Sequence, residues 1–352
     1  MTTHTARTGA PKNGARWATA VAHPNIALAK YWGKLPGDGN VPAVPSLSVT
    51  LAGMRTTTTV SFDATLVDDE LVLDEQLQAA NARAKIRASQ LLDRVRAAAS
   101  TSTRAHIVSS NDFPTASGLA SSASGFAALA LAAVHAADLD WSAERVADLA
   151  RRSSASAARS VFGAFVELDG GSAPGASRIQ GAQGTEGAAR VVAGPNALDL
   201  RVIVAVTTEA PKSTSSTDGM KLTQERSPYY AAWVADAPES HARMRAALLA
   251  GDFTRVGELA ERSALAMHAC AMAAGIVYVT GATLAALAEV RAMRAGGIEA
   301  YATIDAGPHL KCLVRAADVA AVHERLAQVP GVVRIIETRP GEGARLVEEE
   351  AS

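Results

Sequence analysis

One aspartate, Asp305, closes the apolar run of "EAYATIDAG" (299–307) just before a Gly-Pro turn. By type and place it suits an Asx turn. "HPNIALAKYWGK" (23–34) sets Lys30, Tyr31 and Lys34 within five positions, beside Trp32. Such a group can grip an anion through charge-assisted hydrogen bonds; it can equally be an amphipathic edge whose lysines snorkel. In "SSASAARSVFG" (153–163), Ser156 and Arg159 are spaced i, i+3 and share a face of a helix. A guanidinium fork with a hydroxyl suits a carboxylate or a phosphate, and a solvated helix end fits the same residues. "KSTSSTDGM" (212–220) reads as a Ser/Thr-rich turn capping a helix.

The stretch "PTASGLASSASGFAAL" (114–129) packs two glycines and four serines between a strand and a helix. The first N–H groups of a helix lack internal partners and carry the positive end of its dipole. Glycine permits close approach and serine adds donors, so the stretch can wrap a phosphate chain. No lysine follows the second glycine, which excludes a Walker A loop, and G-x-G-x-x-G is absent. A tightly packed, well-capped helix remains the competing interpretation.

These groups need a scaffold. At 352 residues the chain is long enough for two domains. It is 48% hydrophobic and 20% charged, with 4% aromatic residues, so its core must be built mostly from Ala, Val, Leu and Ile. A net charge of -1 argues against a nucleic-acid partner. Two cysteines, Cys270 and Cys312, make no disulfide framework and are expected to be reduced. The polar N-terminus has no signal-peptide core, and no apolar run reaches membrane-spanning length. Strands are expected at 54–62, 104–111, 200–208, 299–307, 310–315 and 332–338, with an acidic-turned hairpin over 63–74. Helices are expected at 80–99, 121–137, 141–165 (one or two), 217–270, 280–296 and 316–328. Strands and helices mix without strict βαβ alternation, which predicts an α+β fold. The expected division is a disordered tail (1–16), an N-terminal nucleotide-binding domain (17–195) and a C-terminal domain (196–345). The Gly-, Ala- and Ser-rich zone 170–187 is read as a surface loop or strand-and-turn region before the division.

"PTASGLASSASGFAAL" resembles the phosphate loop of the galactokinase, homoserine kinase, mevalonate kinase and phosphomevalonate kinase superfamily. More narrowly, with Asn111 and Phe113 before it, it is similar to the diphosphomevalonate decarboxylase family. Further segments agree in chain order: Y-W-G-K, "VPSLSVTL" (44–51), "SSASAARSVFG", "KSTSSTDGM", "MHACAMAAGIVY" (267–278) and "ATIDAGPHLK" (302–311). Departures are Ala155, Ala158 and Ala164 where the family has Gly, Cys and Gly, and Ala274-Gly275 where it commonly has two prolines.

The resemblance implies a small-molecule-kinase superfamily fold, with a ribosomal S5 domain 2-like N-terminal domain and a ferredoxin-like C-terminal domain. It implies ATP and Mg²⁺, with metal ligands unassigned. The implied catalytic residues are Asp305, Lys30 and Arg159. The substrate would meet Tyr31, Trp32, Gly33, Lys34, Arg83, Ser154, Ala155, Ser156, Ala157, Ala158, Arg159 and Thr217. ATP would meet Ser109, Asn111, Pro114, Ser117, Gly118, Leu119, Ala120, Ser121 and Ser122. The implied reaction is ATP-dependent decarboxylation of diphosphomevalonate to isopentenyl diphosphate. Phosphomevalonate or bisphosphomevalonate decarboxylase, mevalonate 3-kinase and a non-catalytic ligand sensor are the alternatives. A cytoplasmic homodimer acting on a small molecule, with no nucleic-acid or membrane partner, completes the expectation.

Overall fold

The computed structural model describes residues 16–37, 39–113, 121–171, 187–210 and 213–347. The first half runs β1 (Trp17–Ala22), β2 (Asn25–Ala29), β3 (Ser46–Thr50), β4 (Thr56–Asp63), β5 (Glu70–Leu73), β6 (Gln76–Leu77), α1 (Arg83–Ala99), β7 (Arg104–Asn111), α2 (Ser121–Ala136), α3 (Ala143–Ser153), α4 (Ala157–Val161), β8 (Phe165–Leu168) and β9 (Ala189–Ala193). The second runs β10 (Arg201–Val206), α5 (Ser216–Arg226), α6 (Tyr230–Leu249), α7 (Phe253–Ala273), α8 (Gly281–Ala295), β11 (Ala300–Ile304), β12 (Leu310–Val314), α9 (Val319–Ala327), β13 (Arg334–Thr338) and β14 (Arg345–Leu346). The architecture is α+β, and most of residues 1–16 and of the Gly-rich zone lie outside the described residues.

Three sheets carry the fold, ordered β14-β1-β4-β7-β5-β6, β2-β3-β8-β9 and β11-β12-β10-β13. The first sheet packs on α1, α2 and α3 through an alanine-rich core that includes Leu91, Leu92 and Ala127. The second and third sheets share a core with α6 and α7, centred on Leu47, Phe165, Val204 and Leu259. The other face of the third sheet packs under α8 and α9.

Several elements depart from the sequence expectation. Strands β2, β3 and β8 were not anticipated. Every residue of each is buried, so the alternation that reveals a half-exposed strand is missing. The expected hairpin over 63–74 does not form, because β4 is flanked on both edges by β1 and β7. Instead β5 adds in parallel to the free edge of β7 and pairs with β6. The helical stretch 217–270 is three helices, α5, α6 and α7.

The Ala274-Gly275 departure has a structural account. Gly275 has φ +82, donates to the Met272 carbonyl at 2.9 Å, and Ile276 N donates to the Ala271 carbonyl at 3.0 Å. These are the two bonds of a Schellman cap on α7, and they need a left-handed residue with an N–H. Proline has neither. Gly275→Pro, although it restores a residue common in the resembling family, is expected to destabilise the protein by about 2–3 kcal/mol. Urea unfolding of the two proteins checks this, and equal midpoints would contradict it.

Candidate active site

Lys30 follows β2 and Asp305 follows β11, and both ends open on one cavity of about 300 Å³. Lys30 Nζ donates to Asp305 Oδ1 at 2.7 Å, and Lys311 Nζ of β12 lies 3.3 Å from Oδ2. Both lysine side chains are 1% exposed, whereas Asp305 keeps 23% toward the cavity. Burial works to raise the Asp305 pKa, but the two ammonium groups outweigh it and hold the carboxyl well below the usual range. Burial likewise outweighs the carboxylate at Lys30, whose pKa falls to about 8. The backbone that presents Lys30 is held from α7, since Lys30 N donates to Ser263 Oγ at 3.0 Å.

Arg159 approaches the same cavity from the short helix α4. Its Nη1 donates to Ser46 Oγ at 2.7 Å and its Nε to Asn25 Oδ1 at 3.2 Å. Asn25 is fixed in turn by donating to Ser160 Oγ at 2.7 Å and the Ser156 carbonyl at 3.0 Å. Burial lowers the Arg159 pKa to about 10, so the guanidinium stays charged at neutral pH, with no carboxylate bonded to it among the described residues. A buried cation so placed favours an anion beside it.

Lys34, Arg83 and Arg87 line the other end of the cavity, with Thr217 of α5. Lys34 Nζ donates to Asn40 Oδ1 at 2.7 Å and Thr217 Oγ1 at 3.3 Å. Arg83 meets Asp218 at 3.3 Å. Burial, then the charges of Arg87 and Arg83, lowers the Lys34 pKa to about 8. Burial and Arg83 lower Arg87 to about 10. Among the described residues, five basic side chains thus line the cavity with one carboxylate. That excess can neutralise a ligand with several negative charges.

A second cavity of about 290 Å³ lies between β7, α1 and the start of α2. Leu71, Ile107 and Phe126 make its wall apolar, while Ser109, Asn111, Ser121 and Ser122 supply polar groups. Arg83, Arg87 and Ser122 belong to both cavities. Arg87 lies over the Phe126 ring, 4.4 Å from its centroid.

Of the residues singled out from sequence, Lys30, Tyr31, Trp32, Lys34, Arg83, Ser154, Ala155, Ser156, Arg159, Thr217 and Asp305 line the first cavity. Gly33, Ala157 and Ala158 do not. Ala157 and Ala158 are buried in the α1–α3 core. Gly33 lies between Trp32 and Lys34 with a φ of +118, and a Cβ there would stand 2.2 Å from Tyr230 Oη. Pro114, Ser117, Gly118, Leu119 and Ala120 lie outside the described residues. Sequence reasoning missed Arg87, one helical turn after Arg83 and therefore findable by its i, i+4 spacing. It also missed Lys311, whose only signal is a charge inside the apolar strand "LKCLV".

Residues 22–179 match the diphosphomevalonate decarboxylase-like N-terminal domain, and residues 202–346 match the mevalonate 5-diphosphate decarboxylase C-terminal domain. A diphosphomevalonate decarboxylase of Candida albicans is 31% identical over 94% of this chain and 98% of its own. The chain belongs to the diphosphomevalonate decarboxylase family. Mevalonate diphosphate decarboxylase from Staphylococcus aureus superposes with a TM-score of 0.86 at 33% identity, over 95% of this chain and 99% of its own. MDDEF in complex with MVAPP, AMPPCP and magnesium gives 0.85 at 36% identity, over 96% and 100%.

Within this diphosphomevalonate decarboxylase family member, Ala164 stands where the family pattern has glycine, and it holds φ +61. Its N–H donates to the Gly341 carbonyl at 2.7 Å and its carbonyl accepts from Thr50 N at 2.9 Å, which fixes the strained residue from both sides. Arg159→Lys is expected to lower kcat/KM by ~10-fold or more, since an ammonium cannot keep both Ser46 and Asn25 while meeting an anion. Steady-state kinetics equal to the parent's would remove Arg159 from the site.

Proposed function

We propose that this chain catalyses the ATP-dependent decarboxylation of (R)-5-diphosphomevalonate to isopentenyl diphosphate, ADP, phosphate and CO2, a step of the mevalonate pathway. The observation that carries this is a cavity with five cations and one carboxylate, joined to a second cavity through shared residues, in a member of this family. MDDEF bound to MVAPP with AMPPCP, an ATP analogue, and magnesium supports pairing the two cavities with substrate and nucleotide.

Lys34, Arg83 and Arg87 neutralise the diphosphate end, and the Thr217 hydroxyl hydrogen-bonds to it. Arg159 and Lys30 hold the oxygens nearest Asp305. Asp305 accepts a hydrogen bond from the 3-hydroxyl and orients it toward the transferable phosphoryl group. ATP supplies that phosphoryl group, turning the hydroxyl into a leaving group whose departure accompanies loss of CO2. The ionised Asp305 stabilises the positive charge that develops at the adjacent carbon. Tyr31 and Trp32 wall the reacting end, and Ser154, Ala155 and Ser156 line the turn before α4.

The second cavity takes the nucleotide, with the apolar wall for the base and Ser109, Asn111, Ser121 and Ser122 for polar groups. Among the described residues, no group of three or more His, Cys, Asp or Glu side chains could hold a metal ion. Magnesium carried by phosphate oxygens needs only one or two protein donors, and the exposed Ser122 hydroxyl between the cavities fits that role. When bound, the ion supplies neutralising charge to the phosphates.

We also read residues 17–195 as the nucleotide-binding domain and 196–345 as the domain carrying Asp305, within the wider galactokinase–homoserine kinase–mevalonate kinase–phosphomevalonate kinase superfamily. A cytoplasmic setting accords with the two buried, free cysteines, and the homodimer is carried by the family resemblance alone. No helix among the described residues is long and apolar enough to cross a membrane.

Mevalonate, its 5-phosphate and its 5-diphosphate, each assayed with ATP for CO2, test the function; release from the diphosphate alone is expected. Asp305→Asn should lower stability, because two buried ammonium groups lose their counter-ion, and should lower kcat at least ~10²-fold at a temperature where circular dichroism shows it folded; a rate within a few-fold of the parent would sink the role of Asp305. The Lys30 ammonium is charged below its pKa of about 8, so kcat should fall as pH rises through that value. A flat profile from pH 7 to 9.5 would exclude Lys30 as the cation required.

A further inference from the structure

Lys311 occupies the middle of the third sheet, its Cα registered with Val204 on one side and Thr303 on the other. Every residue of its strand is buried, and its side chain is 1% exposed. It does not line the cavity, whereas Lys30 does. Asp305 is the carboxylate paired with it, through Oδ2, while Lys30 holds Oδ1. Each oxygen of the carboxylate therefore has its own ammonium, and one of the two cannot be reached from the cavity.

We propose that Lys311 is a positioning residue of the reaction, which keeps Asp305 ionised and oriented while Lys30 turns to the anionic substrate. The proposal rests on Asp305 and Lys30 being the reacting pair. A substrate bearing a carboxylate and several phosphates competes for the cations that line the cavity. Once Lys30 is drawn to it, Asp305 faces new negative charge in a half-closed site, and a carboxylate in that position takes up a proton. A second counter-ion behind the carboxylate prevents this, because the substrate cannot draw it away. A hydrogen bond from Lys30 on Oδ1 and the Lys311 ion pair at 3.3 Å on Oδ2 also restrict how the carboxylate can turn.

The charges facing the pair come from several elements. Arg159 of α4 and Lys311 both press the Lys30 pKa down, after burial and against the pull of Asp305. His268 of α7 faces the cluster too; burial, then Lys30, holds it at about 4, so it is neutral at working pH. Removing the Lys311 charge withdraws a repulsion from Lys30 and an attraction from Asp305. Both groups should then bind protons more tightly, and both pKa values should rise.

Lys311→Met, Lys311→Gln and Lys311→Arg test this with two readouts. The first is the alkaline limb of kcat, which reports Lys30. The second is the carbon-13 titration of the Asp305 carboxyl in the substrate-free protein, assigned by its loss in Asp305→Asn. In Lys311→Met the alkaline limb should move up by about one pH unit, and the Asp305 titration should rise into or above the ordinary carboxylate range of about 4. The kcat should drop ~10-fold or more while KM for ATP changes less than about two-fold. Lys311→Gln, which keeps a hydrogen-bond donor for Asp305 without the charge, should move both readouts the same way. Lys311→Arg should return both toward the parent. Unmoved titrations in Met or Gln would overturn the proposal, as would an Arg variant indistinguishable from Gln. An Asp305→Asn enzyme that keeps its rate overturns the role of Asp305 instead, which separates the two failures.

Discussion

A buried ammonium group without a counter-ion costs several kcal/mol, and this protein buries two of them against one carboxylate. Lys30 and Asp305 are 275 positions apart in the chain. They belong to different sheets, so their pairing requires the second and third sheets to be held at one spacing. Helix α7 does much of this. Its Ser263 takes the Lys30 N–H, and its Glu261 accepts from Ala302 N at 3.1 Å, three residues before Asp305. Glu261 is itself held by Arg291 and Arg294 of α8. The Thr303 hydroxyl reaches the Ala27 carbonyl at 3.5 Å, a direct link between β11 and β2. The electrostatics of three side chains thus depend on hydrogen bonds made at Ser263, Glu261 and Thr303, none of which lines the cavity.

The same economy governs the outer cations. Arg159 is aimed by Asn25 and Ser46, both on strands of the second sheet. Trp32 is gripped through its carbonyl by Trp233 Nε1 of α6 at 2.8 Å, and its ring meets Tyr278 edge-on with centroids 5.8 Å apart. A chain with few aromatic residues gathers several of them here, next to α5 and its Thr217. Large rigid side chains set the wall, and the charged groups are mounted on it.

Part of the scaffold was legible because half-exposed elements advertise themselves: α1 and the alternating strand β4 lie close to where periodicity puts them. The buried α2 and β10 were legible for another reason, as apolar runs. The second sheet offered neither signal: with β2, β3 and β8 covered, no period of two survives, and Asn25, Ser46, Ser48, Thr50 and Glu167 interrupt their apolar character. The parallel placement of β5 was out of reach as well, since it follows from which sheet edge is free. At the site, motif resemblance located Lys30, Arg159 and Asp305, but no motif pointed to Lys311 or Arg87. Lys311 acts across a hairpin, and Arg87 matters because two cavities meet at it. Both properties exist only once the chain has folded.

The last strand has a bearing on how the molecule comes to be. β14 pairs with β1 at Ala20 and Val21, and just before it Gly341 N donates to the Thr50 carbonyl and Ala344 N to the Val161 carbonyl. Residues near position 340 therefore complete hydrogen bonding for strands made near positions 20 and 50. During synthesis β1 lacks its β14 partner until residues 345 and 346 have been made. The N-terminal half must wait, partly unsealed and exposed to edge pairing with other chains. Completion of the first sheet is thereby tied to arrival of the half that carries Asp305, since a chain interrupted before residue 345 lacks the partner of that edge.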